Sequence, residues 1–329
     1  MKTIREYGVG HKGTLTPDPP AKPDETDEAY SARIRALMAK EDFAQLEKIQ
    51  QQNRADRSRL IGGIWKSEDL YDAISDPSAP APANDAAFEL QISRAKKWVA
   101  AYPQSATAHL ALAKLYVEYG YHARGTGYAN TVSDSQWDKF HSRLAQGKAA
   151  LLEAAALKTK DPAWYMDLLL IALDEGWDKA RTRELFDQAT AFEPDYYHFY
   201  RQYANYLSPQ WYGEMGDIRA LAEEVSSKLP EPHGSMLYFY TVSILTCYCQ
   251  EAMQALPQVT YAKAKQGYEN ITRLFGASNL TANRFAFIAS TFRDQTGAHG
   301  AFAAINKMEP EVWYTEQIFN GAREWANGH

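Results

Sequence analysis

The sequence predicts an all-α fold: a superhelix of stacked helix pairs, in effect a helical-repeat solenoid, preceded by an irregular N-terminal arm. Three observations predict it. Ala, Leu, Glu, Lys and Gln dominate from Asp85 onward, without the period-two alternation of strands. Prolines and glycines such as Pro103, Pro162, Gly176, Pro194, Pro257, Gly276 and Pro310 fall where apolar-periodic segments begin or end. One pattern of small and bulky residues also recurs along the chain.

The elements follow in order. Residues 1–28 read as an arm, because Gly8, Gly10, Gly13, Pro17, Pro19, Pro20 and Pro23 leave no room for a helix. From Ala29 to Gln52, Ile34, Leu37, Met38, Phe43, Leu46 and Ile49 recur at helical spacing, as one helix or two short ones. Gly62 and Gly63 mark a turn, Trp65 to Ile74 a short helix, and Pro77, Pro80 and Pro82 a linker. Residues 29–84 are therefore set apart as N-terminal helices and linker, and residues 85–329 as the repeat domain. Helices are expected there near 85–102, 105–121, 134–158, 162–175, 178–192, 196–207, 216–228, 233–254, 257–275, 281–293, 297–307 and 310–326.

Composition narrows the function. A chain of 329 residues with 45% hydrophobic residues can bury a core, and 21 Tyr with 8 Trp suit both helix seams and contact surfaces. The net charge of −6, without a run of Lys and Arg, argues against a nucleic-acid partner. Lys2, Arg5 and Glu6 charge the first residues, and the apolar tracts around 168–173 and 236–249 are too short or too interrupted to span a bilayer. A soluble, cytoplasmic protein without membrane contact is expected. Cys247 and Cys249 lie two apart on a predicted helix and so face different ways; free, buried thiols are expected rather than a disulfide or a zinc site.

The repeat carries the architecture. His109, Leu112, Ala113 and Tyr116 share their spacing with Tyr200, Tyr203, Ala204 and Leu207. Thr182, Phe186, Ala189 and Pro194 share theirs with Ala298, Phe302, Ile305 and Pro310, and Leu152, Ala155 and Pro162 form a looser copy. These resemble the first and second helices of tetratricopeptide (TPR) repeats, in which small residues admit a neighbouring helix and a Phe plugs the gap between units.

A second resemblance covers about residues 40–225. Ala100-Ala101-Tyr102-Pro103-Gln104-Ser105, the stretch from Tyr121 to Val132, Phe192-Glu193-Pro194-Asp195-Tyr196 and Leu207-Ser208-Pro209-Gln210-Trp211 are similar to blocks of the bacterial family called domain of unknown function 4034. That resemblance implies a TPR-like helical fold and carries no catalytic residue with it.

Chemistry is sparse. No nucleophile elbow, zincin or kinase motif is present, and no metal or cofactor is expected. Asp134, Asp138 and His141 share one helical face near His122 and Arg124, so an acid/base site using His122, Arg124, Asp138 and His141 is one alternative. The plainer reading gives Asp134 to a helix start and Asp138 to a solvated face. Arg124-Gly125-Thr126-Gly127 reads as a turn following a helix.

The inner faces of first helices are the better candidates. Counting from Pro194, they present His198, Arg201, Asn205 and Ser208; the preceding helix presents Thr107, Leu110 and Lys114, and the next Met166, Leu169 and Leu173. Arg201 and Asn205, four apart, can grip a carboxylate together. This resembles half of the carboxylate clamp of chaperone-binding TPR domains. The expected binding set is His198, Arg201, Asn205, Lys114, His122 and Arg124, for a protein or peptide partner. An immunity or antitoxin-like protein is the other binding alternative, suited by the acidic charge.

Overall fold

Helix propensity and capping are realised in most of the residues that the computed structural model describes, 5–77, 83–127, 129–246 and 250–328. Cys247, Cys249, Tyr128, Pro80 and Pro82 lie outside the described residues. Among the described residues there are 17 α-helices and no β-strand. By contacts the chain divides into two compact units. One takes the arm up to Lys12, Glu25–Ser58 and Ile64–Glu175; the other takes Gly13–Asp24, Arg59–Gly63 and everything from Gly176 on. The observed division thus falls after Glu175, whereas the sequence suggested a boundary near residue 84. The reason is packing: the early helices share a core with the helices up to Glu175.

Unit one contains α1 (Asp27–Ala39), α2 (Phe43–Asp56), α3 (Lys66–Ser75), α4 (Asp85–Ala101), α5 (Ala106–Arg124), α6 (Asp134–Ala155) and α7 (Ala163–Asp174). Thr26, Asp42, Asn84 and Ser105 cap α1, α2, α4 and α5 by accepting backbone N–H bonds, as their positions before apolar runs require. Helix α5 is buried along nearly its whole length and packs between α4 and α6. A Cβ on Gly147 of α6 would lie 3.0 Å from the Ala113 carbonyl oxygen, so the small residue sets how closely α6 approaches α5.

The centre of unit one is a polar hub, and the arm is part of it. Asp161 is fully buried just before α7, and its Oδ2 accepts from Arg54 (2.8 Å), the Tyr71 hydroxyl (2.8 Å) and Gln50 (3.2 Å). Tyr7 of the arm stacks on Trp164 at 3.7 Å, accepts from the Asp161 backbone N–H and donates to the Asp161 carbonyl. A residue the sequence placed in an irregular arm is thereby 4% exposed and part of the core.

Unit two contains α8 (Lys179–Phe192), α9 (Tyr197–Tyr206), α10 (Asp217–Lys228), α11 (His233–Val242), α12 (Gln250–Ala255), α13 (Tyr261–Phe275), α14 (Asn279–Thr291), α15 (Gln295–Phe302), α16 (Pro310–Trp313) and α17 (Glu316–Ala326). Helix α9 packs on α8 and on α11, α11 on α10 and α13, and α15 on α14 and α17. Phe186 of α8 stacks on Tyr203 of α9 at 4.4 Å and meets Tyr200 edge-on. Phe302 packs against Trp313 and Phe319. Both phenylalanines are buried, as are Thr182, Ala189, Ala204 and Ala298. The looser copy fares differently: Leu152 is 42% exposed while Ala155 is covered.

Two expected helices are broken. The segment 233–254 stops at Val242 and passes through a 3-10 turn, Ser243–Leu245, before α12. There Thr241, Ser243 and Thr246 hydroxyls bond back to the carbonyls of Leu237, Tyr240 and Ser243, competing with the helical ladder. The segment 310–326 breaks at Tyr314, whose φ of 62° is left-handed, and restarts as α17 under a Thr315 cap.

Candidate functional site

The break after α11 opens a pocket in unit two. Helix α9 runs only from Tyr197 to Tyr206, ended by the turn into Pro209. Its aromatic side, Tyr200 and Tyr203, is committed to Phe186. Residues 201 and 205 therefore face away from that seam, and with Ser208 they line a cavity of about 220 Å³. The 3-10 turn brings Ser243, Ile244, Leu245 and Thr246 to its rim, and α10, α12, α14 and α16 contribute Ile218, Ala252, Arg284 and Glu311. The volume is well below that of ordinary cofactor clefts, about 300–1,000 Å³, and suits a terminal group or one side chain.

The charge in this pocket is unbalanced. Arg284 is paired with Glu311 at 2.9 Å. Arg201 has no carboxylate partner among the described residues; its Nη1 donates to the Ser243 hydroxyl. Burial first, and then the neighbouring Arg284, push Arg201 down to about 9 from the usual guanidinium range. That is still above neutral pH, so the side chain stays charged and its partial desolvation is expressed as a demand for an anion. Ser208 Oγ is buried without a hydrogen-bond partner among the described residues, and Asn205 lines the pocket beside it. The pocket thus holds a desolvated cation and idle polar groups beside the apolar walls of Ile218 and Leu245.

The other expected binding residues lie elsewhere. His198 is on α9 but stacks on Tyr197 at 4.0 Å and does not line this pocket. Lys114 corrects an expectation: it belongs to an ion cluster inside unit one, its side chain 7% exposed, with Nζ 3.1 Å from Asp72, 3.6 Å from Glu68 and 3.8 Å from Asp167. Burial raises Asp167 and Glu118 above the usual carboxylate range in the same cluster, against the pull of Lys114. Thr107, Leu110, Leu169 and Leu173, expected on inner faces, are buried as well. His122 sits 3.6 Å from Asp85 and against the Phe88 ring, and Arg124 donates to the carbonyls of Gly125 and Gly127 at the end of α5.

The four groups of the acid/base alternative do not assemble. Among the described residues no hydrogen bond or ion pair joins His122, Arg124, Asp138 and His141. His141 stacks on Trp137, Arg124 lies over the same ring, and Asp138 faces an open groove of about 620 Å³ between α4, α5 and α6. No group of His, Cys, Asp and Glu fit to hold a metal occurs among the described residues, and no described helix is long and apolar enough to cross a membrane.

Of the residues lining this pocket, the sequence pointed to Arg201, Asn205 and Ser208 and not to Ser243, Thr246, Arg284 and Glu311. Arg284 lies on another helix, far along the chain, and nothing in local spacing signals that it meets Arg201. No protein-family model matches the chain, no curated protein sequence matches it, and no solved structure matches it.

Proposed function

We propose that the chain is a TPR-like helical-repeat interaction module, of the domain of unknown function 4034 kind, that binds a protein or peptide partner in the cytoplasm through the Arg201 pocket. The observation that carries the reading is a desolvated guanidinium without a carboxylate partner, in a cavity large enough for one acidic or terminal group. An entering carboxylate accepts two charge-assisted bonds from Arg201, and the Asn205 amide N–H and the Ser208 hydroxyl donate to its remaining lone pairs. The partner's neighbouring atoms cover Ile218 and Leu245. Buried Phe186 and Phe302 support the stacked-pair architecture behind this surface.

A panel of short acidic and free-C-terminal peptides, titrated calorimetrically against wild type and Arg201→Ala, tests the proposal. Removing one charge-assisted partner costs about 1.5–3 kcal/mol, a ten- to hundredfold loss of affinity. A peptide that binds both chains equally well would sink the pocket as the site. The immunity-like alternative shares the binding chemistry; a gene for a small basic toxin found beside this one would favour it. The acid/base alternative has against it that no hydrogen bond or ion pair joins His122, Arg124, Asp138 and His141 among the described residues.

A further inference from the structure

A second constellation in unit two has the form of a peptide site already filled. Residues 13–24 carry no helix and none of them is buried, yet they belong to this unit. The Gly13 N–H donates to the Ala191 carbonyl at 3.0 Å, at the end of α8. Three residues on, the Thr16 N–H donates to Asp195 Oδ1 (3.3 Å), the Thr16 carbonyl accepts from His233 Nε2 (2.9 Å), and the Thr16 hydroxyl accepts from Arg59 (3.3 Å). The three cradle residues are themselves organised. Arg59 pairs with Asp195 Oδ2 at 3.0 Å and His233 Nε2 lies 3.7 Å from the same oxygen, with side-chain exposures of 8%, 5% and 11%.

These contacts read an extended main chain and one hydroxyl, and bury no apolar side chain. Pro17 holds Thr16 in the extended region, which presents its N–H and C=O to opposite partners. The fit at Gly13 is specific: a Cβ there would lie 2.2 Å from the Phe192 carbonyl oxygen and 2.5 Å from Pro194 Cδ. Residues 13–24, with no buried side chain of their own, detach more readily than the helices around them, while Tyr7 keeps its own seat in the core.

We infer that Arg59, Asp195 and His233 form a docking site for an extended, proline-flanked segment bearing a Thr or Ser, and that Gly13–Thr16 occupies it in cis. The inference is independent of the Arg201 pocket, which shares none of these residues. The tethered arm acts at an effective concentration on the order of millimolar, so an external segment of the same chemistry binds weakly until the arm leaves. Detaching the arm frees the Thr16 partners on Asp195 and His233 while the Arg59–Asp195 pair persists, leaving a preformed site.

The test uses full-length chains and a fluorescent peptide of residues 11–20, followed by anisotropy. Gly13→Val unseats the arm by the clash above and leaves the cradle intact. The peptide is expected to bind G13V at least about tenfold tighter than wild type, and to lose at least about tenfold when His233→Ala is added. Thr16→Pro, which deletes the donor to Asp195, is the second route to an empty cradle and carries the same expectation should G13V fold poorly. Equal binding to wild type and both arm variants overturns the inference, as does no binding to either folded variant.

Discussion

Arg201 sets a cost in stability against the proposed binding role. Its guanidinium is drawn from water into a pocket beside a second arginine, and donates to the Ser243 hydroxyl. A buried charge without a counter-ion is a liability in the free protein. Arg201→Met keeps the volume and removes that liability, so it should stabilise the unliganded chain by about 1 kcal/mol in urea titration while abolishing carboxylate binding. A destabilised R201M chain would mean that the guanidinium has a stabilising partner the pocket geometry does not reveal. Phe186 is the opposite case. It is 3% exposed between Tyr200 and Tyr203, and Phe186→Ala should lower stability by about 3–5 kcal/mol without altering which peptides bind. Both positions could be assigned a helix face from spacing alone, because the 3.6-residue period says which residues share a side.

At the scale of elements, close helix approach depends on single small residues. Gly267 lies inside α13, where Gly→Ala ordinarily favours a helix by about 1 kcal/mol. Here an added Cβ would fall 2.1 Å from the Ser235 carbonyl oxygen on α11. The packing clash outweighs the propensity gain, and Gly267→Ala should destabilise unit two by about 1–3 kcal/mol in thermal unfolding. An unchanged or raised melting temperature would show that α11 and α13 can slide apart. Helix positions were readable because caps, prolines and the 3.6-residue period are local. The breaks at Val242 and Tyr314 were not, since hydroxyl back-bonding and a left-handed residue win against good helix propensity only in a particular setting.

At the scale of the whole molecule, carboxylates shifted in opposite directions set an acid and an alkaline limit to stability. In unit two, Asp294 is lowered to about 2 by hydrogen bonds from Lys265 and Tyr261, and Glu224 to about 2 by Arg183. Such groups contribute stability above their unfolded values, near pH 4, that disappears as pH falls toward 2. Both are partly exposed, so screening keeps the sum small, on the order of 1 kcal/mol. In unit one, burial, with Asp72 nearby, raises Asp69 to about 8. Its contribution is complete below about pH 4 and vanishes as pH rises through 8. Urea midpoints measured against pH should peak at mildly acidic values, with the alkaline limb flattened by Asp69→Asn and the acid limb by Asp294→Asn. A profile unchanged by D69N would assign the alkaline loss to other groups.

The sequence by itself determined that the chain is helical, where most helices begin and end, and which faces carry Phe186, Phe302, Arg201 and Asn205. Those properties follow from propensity, capping and periodicity within a few residues. Tertiary structure alone decided that Arg284 and Ser243 stand beside Arg201, that Lys114 is enclosed by Glu68, Asp72 and Asp167, and that Tyr7 and Thr16 of the arm are bonded in place. Each of these joins groups far apart in the chain. Which of them meet is settled by how whole helices pack, and no local pattern of residues encodes it.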